Sequence, residues 1–295
     1  MSHRLIDKYR RRLAAESGLS ANPWGGRLSV ALVYPNTYHQ GMSNLGVQAV
    51  YQLLNSRDDT LCERFFLPDP DDLAEHRRTG FPLVSLETQR PLGDFDLVAF
   101  SISFENDYVN LPVIFELAHL PLWREERDER HPLVLCGGVC AFLNPEPLAE
   151  IMDLFAIGEA EVLLPPLLAA LAQGGERERM ALLTELAAVP GLYVPSRYRV
   201  DYDAAGGLRA MEPLAGAPER VARQWLPQLD AFQARTCVAT ADTEFGGMQL
   251  VEMSRGCPRA CRFCAAGFIY RPFREHTAAH LQRELLTGEG GAGRV

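Results

Sequence analysis

Three cysteines, Cys257, Cys261 and Cys264, fall within eight residues of the stretch "VEMSRGCPRACRFCAAGFIYRPFRE" at 251–275. The spacing is Cys-x3-Cys-x2-Cys, and an apolar run, "MQLVEMS", leads into it. Three thiolates on one loop can hold three corners of a cubane 4Fe-4S cluster, which leaves the fourth iron free to bind something else. Zinc is the competing metal, but structural zinc takes four closed ligands. His276 is the one nearby candidate for a fourth. A third reading is three unligated structural thiols. The context favours the cluster: a strand, then "SRGCP", then Phe263 immediately before the last cysteine.

The composition narrows the setting. The chain has 295 residues, 47% hydrophobic and 23% charged, with a formal net charge of -9. These are ordinary values for a globular protein of one or two domains. The acidic balance counts against a nucleic-acid partner bound through broad charge neutralisation. The opening "MSHRLIDKYRRRLAAESGLS" lacks the apolar core of a secretory signal, and the longest apolar run, "VLLPPLLAALA", is short and holds two prolines. These features point to the cytoplasm, with no membrane partner. Seven cysteines, an odd number, fit reduced thiols better than a disulfide framework. Cys62, Cys136, Cys140 and Cys237 read as small buried hydrophobes.

The elements that must position the loop follow from the apolar pattern. An amphipathic helix at about Leu5–Glu16 and a loop, "ANPWGG", occupy 1–27. Short apolar runs then alternate with helical stretches over 28–173. Strands are predicted at 28–35, 63–68, 95–103, 131–138 and 153–161, with helices at about 45–54, 69–78, 108–120 and 161–172. This alternation predicts an α/β fold with a doubly wound parallel sheet, helices on both faces. Ligands in such sheets sit beyond the carboxyl ends of the strands. "PNTYHQGMSN", "SFEND", "GGVCAFLNPEP" and "GEAE" fall there. Within "SFEND", Glu105 and Asp107 serve either as ligand contacts or as caps of the next helix. From 174 to 240 the chain reads as a connecting segment that holds a β-hairpin over 191–213 with an Ala-Gly-Gly turn. A new strand, the cysteine loop and a helix at 277–288 fill 241–295, and "GRV" at the end reads as the opening of another strand.

"SRGCPRACRFC" resembles the cluster motif of the radical SAM superfamily. The resemblance implies that Cys257, Cys261 and Cys264 ligate a 4Fe-4S cluster whose open iron chelates S-adenosylmethionine. It implies that one electron cleaves the sulfonium to methionine and a 5′-deoxyadenosyl radical, and that Phe263 packs near the adenine. An electron donor such as a flavodoxin or ferredoxin is implied as well. The doubly wound domain before the motif, with "YPNTYHQGMSNLG", "LCGGVCAFLNPEPLAE" and "FAIGEAE", resembles an uncharacterised branch of the cobalamin-binding class. That resemblance makes Gly137, Gly138, Gly158 and Glu159 candidates for approach of a corrin or its nucleotide tail, beside the plainer reading of strand-end turns. "YRPFRE" resembles an Arg-containing stretch that follows the motif in such members. Arg271 and Arg274 either contact substrate or pair with Glu275 and solvent. One departure stands out. His39 has Thr37 two residues before it and Met42 three after, so it does not match the Asp-x-His-x-x-Gly pattern of a cobalt-ligating histidine.

Two rival readings stay open. One is a cobalamin- or nucleotide-binding module with a vestigial cluster loop. The other is a methylthiotransferase-like modifier, which would need a second cluster from the amino-terminal cysteines. A radical SAM core is a (β/α) barrel of roughly 200 residues or more. The chain is expected to hold only the opening of one, and to be inactive or nearly so by itself.

Overall fold

The computed structural model describes residues 2–172, 178–259 and 261–287. Most of the polar break "GGERERM", the stop at Gly288 and the "GRV" strand lie outside them. The first part of the chain runs through α1 (His3–Ala14), β1 (Ser17–Gly18), β2 (Leu28–Tyr34), α2 (Tyr38–Met42), α3 (Leu45–Asn55), β3 (Thr60–Phe66) and α4 (Pro70–Thr79). It continues through β4 (Leu97–Ser101), α5 (Leu111–Ala118), β5 (Leu133–Gly137), α6 (Val139–Leu143), β6 (Leu154–Ala156), α7 (Ala160–Ala172), α8 (Arg179–Ala187) and β7 (Leu192–Tyr193).

A six-stranded sheet in the order β3-β2-β4-β5-β6-β7 forms the centre. Its first five strands are parallel, and β7 runs antiparallel to β6. Alternation along β2 explains the layers. Val30, Leu32 and Tyr34 face one core with Tyr9 of α1, Val47 and Tyr51 of α3, Leu167 of α7 and Leu186 of α8. Ala31 and Val33 face the other core with Ile114 and Phe115 of α5 and Cys140 of α6. A strand buried on both faces reads as an unbroken apolar run, which is what "LSVALVY" is. The fold is therefore mixed α/β, a mainly parallel sheet covered on both sides by helices. Because β2 lies between β3 and β4, the chain reverses direction across the sheet there. The crevice outside the carboxyl ends of β2 and β4 is the topological switch point.

The expected strand boundaries shift, by one residue at 28–34 and by one or two at 133–137. The second strand spans 60–66 rather than 63–68. Glu63 and Arg64 look like a polar edge in sequence, yet both are buried in the strand. Arg64 pairs with Glu16 and Glu87, each at 2.6 Å, and Glu63 accepts from Trp24 Nε1 at 2.6 Å. The third strand spans 97–101. The fifth ends at Ala156 rather than continuing to 161, because Gly158 turns the chain with φ of 147°.

The second part of the chain holds β8 (Tyr198–Tyr202), β9 (Leu208–Pro213), β10 (Val238–Ala239), β11 (Ser254–Arg255), α9 (Ala266–Ile269), β12 (Arg274–Glu275) and α10 (Ala278–Thr287). The hairpin β8–β9 turns at Asp203–Gly207, as its Ala-Gly-Gly stretch predicts. Leu192 and Tyr193, expected as part of this hairpin, instead pair with β6 as β7 of the main sheet. "MQLVEMS" does not form a barrel strand among the described residues. It lies extended against 234–236, where Glu252 N–H donates to the Ala234 carbonyl at 2.9 Å, and ends in β11. Strand β11 pairs antiparallel with β12, so the cysteine loop is the span of a hairpin.

Candidate functional site

The carboxyl ends of the parallel strands open into a cleft of about 560 Å³. Ser101 and Ser103 after β4, Gly138 after β5 and Gly158 after β6 form its floor. Asn44 and Ala49 at the start of α3 form one wall. Ser254, Arg255 and Gly256, at the foot of the cysteine loop, form the other with Tyr270. The Asn44 side chain fixes the first wall. It accepts from Val47 N–H at 3.1 Å, which caps α3, and donates to Ser103 Oγ at 3.0 Å. Phe142 of α6 meets Tyr270 edge-on, with ring centroids 5.9 Å apart, and ties α6 to the second wall.

The foot of the cysteine loop is held by charge. Glu159 is buried beside the cleft, and its carboxylate is fully engaged. Arg274 donates to both oxygens at 2.9 and 2.7 Å, Arg255 donates at 2.8 Å, and the Leu226 N–H donates at 2.9 Å. Burial alone would raise its carboxyl, but Arg274, the Leu226 amide and Arg255 together bring it below the usual range. Arg255 also binds Glu161 at 2.7 Å and Glu252 at 2.8 Å. Arg255 lies two residues before Cys257, so this network ties the loop to the end of β6. Glu159 also lines the cleft, so it stands between the loop's foot and the cleft. Arg274 pairs with Glu159, not with Glu275 as its sequence neighbourhood suggested. Arg271 donates to the Gly267 carbonyl at 2.8 Å and lies over the Phe268 ring. The carboxylates of this network are spread along the sequence, and no spacing announces them.

Gly138 and Gly158 line the cleft, but backbone neighbours already account for both. A Cβ at Gly138 would meet the Ile102 carbonyl oxygen at 2.4 Å, and one at Gly158 the Gln224 oxygen at 2.2 Å. Gly137 has more room, with its nearest neighbours at 3.9 Å. A side chain is thus excluded at Gly138 and Gly158, as a tight turn at a strand end requires.

Cys257 and Cys264 are half-buried and Cys261 is exposed; all three are free thiols. Cys264 N–H donates to the Cys261 carbonyl at 3.1 Å, which turns the chain between these two. Gly256, with φ of 90°, lets the loop start 2.5 Å, at the position of a Cβ, from the Tyr270 carbonyl. Phe263 is 93% exposed on the outer face. His276 does not face the thiols as a fourth zinc ligand would. Its buried ring lies 3.0 Å from Asp230 and stacks on His280.

The other thiols separate by face. Cys62 lies in β3 and packs on the α3 side, with Cys237 against the same core. Cys136 and Cys140 pack on the α5 side. The sheet stands between the two groups, so they do not converge on a second cluster. Burial pushes the Cys140 and Cys237 thiols up to about 11. His39 lies in the short helix α2, with Nδ1 3.0 Å from Asp242 and Nε2 3.2 Å from Glu244, and those carboxylates raise it. Glu105 and Asp107 sit in a single 3-10 turn before α5. Asp107 is buried, accepts from Asn36 at 2.8 Å, and has its carboxyl raised by burial.

A family model described as "Radical SAM proteins, N-terminal" matches residues 46–195, half of the chain. The chain belongs to the radical SAM proteins. The match covers every strand of the main sheet except β2 and stops before the cysteine loop, so the two signals lie on different parts of this radical SAM chain. It is 26% identical over 248 residues to an uncharacterised protein of Methanocaldococcus jannaschii, covering 83% of this chain and 43% of that protein. Two solved structures of TsrM, a radical S-adenosylmethionine methyltransferase from Kitasatospora setae, align over 88% of this chain and 45% of theirs. Identities are 16% and 15%, and the TM-score is 0.44 for each. One is described with tryptophan substrate and a SAM analogue, the other with cobalamin and a [4Fe-4S] cluster. The radical SAM chain thus spans under half the length of the proteins it matches. Among the described residues, no helix is long and apolar enough to cross a membrane.

Proposed function

We propose that this chain carries the cluster loop and a cobalamin-binding domain of a radical SAM enzyme, with boundaries near 28–173 for the sheet domain, 174–240 for the connecting segment and 241 onward for the cluster-bearing part. The observation that carries the reading is the cleft itself: its floor is the ligand edge of a parallel sheet, and its far wall is the foot of the three-thiol loop. The donor set fits an iron–sulfur cluster. Three soft thiol ligands stand on one loop, all free, with Arg259 and Arg262 between them to offset thiolate charge. A 4Fe-4S cluster on Cys257, Cys261 and Cys264 would bind S-adenosylmethionine and supply the electron that cleaves it to a 5′-deoxyadenosyl radical.

The remaining roles belong to the protein. Glu159, Arg255 and Arg274 hold the loop's foot at the cleft edge. Asn44, Ser101 and Ser103 present polar groups toward a ligand on the floor, while Ala49 and Val139 give it an apolar surface. Phe263 offers an exposed ring next to Cys264 for an adenine to pack on. His39 is held by two carboxylates, so a cobalamin in the cleft would bind without a histidine from this position. The free thiols suit a reducing, cytoplasmic setting and a small reductant protein as electron donor.

The cobalamin component is tested by binding. Hydroxocobalamin added to the chain is expected to bind with about one corrinoid retained per chain after gel filtration. Ala49→Trp, which fills the cleft from α3, is expected to weaken retention about tenfold or more with an unchanged circular dichroism spectrum. Equal retention by the two proteins would contradict the assignment of the cleft.

A further inference from the structure

Asp230, His276 and His280 bring one ligand atom each to within 4.8 Å of one another. They come from three places along the chain: a 3-10 turn at Leu229–Ala231, the residue just after β12 and the first turn of α10. His276 and His280 are four residues apart and stack at 4.9 Å with 12° between their planes. His276 Nδ1 lies 3.0 Å from Asp230 Oδ1, and His280 Nδ1 lies 4.0 Å from the same oxygen.

The surrounding hydrogen bonds fix which nitrogens hold protons. The Gln233 amide nitrogen donates to two backbone carbonyls, of Ala234 at 2.9 Å and Glu252 at 3.0 Å. Its oxygen therefore faces His280 Nε2 at 3.0 Å, and that nitrogen must be the donor. His280 Nδ1 is then a lone pair. Arg283, which can only donate, lies 3.3 Å from that nitrogen, as this tautomer requires. His276 has the matching conflict. Its Nε2 is buried without a hydrogen-bond partner, 3.9 Å from the Glu252 carboxylate. If Nδ1 donates to Asp230, a buried lone pair at Nε2 faces Glu252. If Nε2 holds the proton toward Glu252, a lone pair at Nδ1 faces Asp230 at hydrogen-bond distance. A cation between the two Nδ1 atoms and Asp230 Oδ1 resolves this. Both imidazoles are then neutral Nε2–H tautomers: that of His280 donates to Gln233 at 3.0 Å, as the outer nitrogen of a metal-ligating histidine does, and that of His276 points toward the Glu252 carboxylate at 3.9 Å.

We propose that Asp230, His276 and His280 form a second metal site, for a divalent first-row ion such as zinc. Two imidazoles and one carboxylate suit zinc, nickel or iron and leave a position for water beside the partly exposed Asp230. Asp230 can serve as a ligand and still accept from Thr277. Its Oδ2 takes the Thr277 hydroxyl at 2.7 Å, and Oδ1 has a second lone pair beside the one taken by Thr277 N–H. The bound ion would fasten the carboxyl end of the hairpin that carries the cysteine loop to the connecting segment. It would also turn the Arg283 guanidinium away from His280.

Cobalt titration of the metal-stripped chain separates this site from the cysteines. Cobalt on imidazole and carboxylate gives visible d–d bands with no thiolate-to-cobalt charge-transfer band in the ultraviolet. The expected result is one such Co²⁺ per chain, displaced by Zn²⁺, in the wild-type chain and in a C257A/C261A/C264A background. His280→Gln and Asp230→Asn, each checked for folding by circular dichroism, are expected to weaken it about tenfold or more. Should either fold poorly, protection of His276 and His280 from diethylpyrocarbonate by Zn²⁺ in the wild-type chain reads the same site. Overturning results are d–d bands that survive both substitutions, no cobalt bound without charge-transfer bands, or no protection by Zn²⁺. An imidazolium at His276, in place of a metal, would give that last pattern.

Discussion

Glu159 shows how a single residue couples the sheet to the loop. It follows β6 by three positions, yet its partners lie at 226, 255 and 274. Removing one member of a buried ion pair leaves the others uncompensated and costs about 3–5 kcal/mol. Glu159→Gln keeps the shape and removes the charge, so it should lower stability by about that amount in urea unfolding. The pH dependence follows from its depressed carboxyl. Stability from this group is fully present above the ordinary glutamate range and is lost as pH falls through its lower folded value. The wild-type unfolding midpoint should drop on acidification in that window, and the Glu159→Gln midpoint should drop less. Parallel curves would show that the network carries no net stability. Glu159 was visible in the sequence as a strand-end acid at a ligand edge, but its partners were not. Arginines 96 and 115 residues away give no local signal, and only packing brings them to it.

The cysteine loop, at the scale of an element, is held by its two ends. Its foot enters through Gly256, where a left-handed backbone brings the chain against the Tyr270 carbonyl. An added Cβ would be both strained and clashing, so Gly256→Ala should displace the loop while leaving the two cores intact. We expect unchanged thermal unfolding of the sheet domain and at least a severalfold lower iron content after anaerobic reconstitution. Normal iron content would show that the loop tolerates the shift. The element-scale reading from sequence succeeded where one physical rule dominated. Runs such as "LSVALVY" and "LVLCG" are buried on both faces and could only be central strands. It slipped where pairing hid polarity, as with Glu63 and Arg64 inside β3. It failed at "MQLVEMS", whose apolar pattern suits a strand but whose partner, the extended segment 234–236, had no signature of its own.

Across the whole molecule, the sheet supplies a ligand edge, and the connecting segment folds back to join it. Gln224 pairs with Gly158, β7 completes the sheet, and the cysteine loop is thereby brought to the cleft. The layer architecture and the thiol triplet were legible because periodicity and spacing are local. The closing of the cleft was not, because it depends on contacts between residues far apart in sequence. The central claim is that Cys257, Cys261 and Cys264 hold an iron–sulfur cluster at that cleft. Its most direct test is an iron and acid-labile sulfide assay, after anaerobic reconstitution, of the wild-type chain beside a variant with all three cysteines changed to alanine. The account predicts about four iron and four sulfide per wild-type chain, as a 4Fe-4S cluster requires, and loss of both in the variant. A variant that kept its iron and sulfide, or a wild-type chain that bound neither, would contradict it.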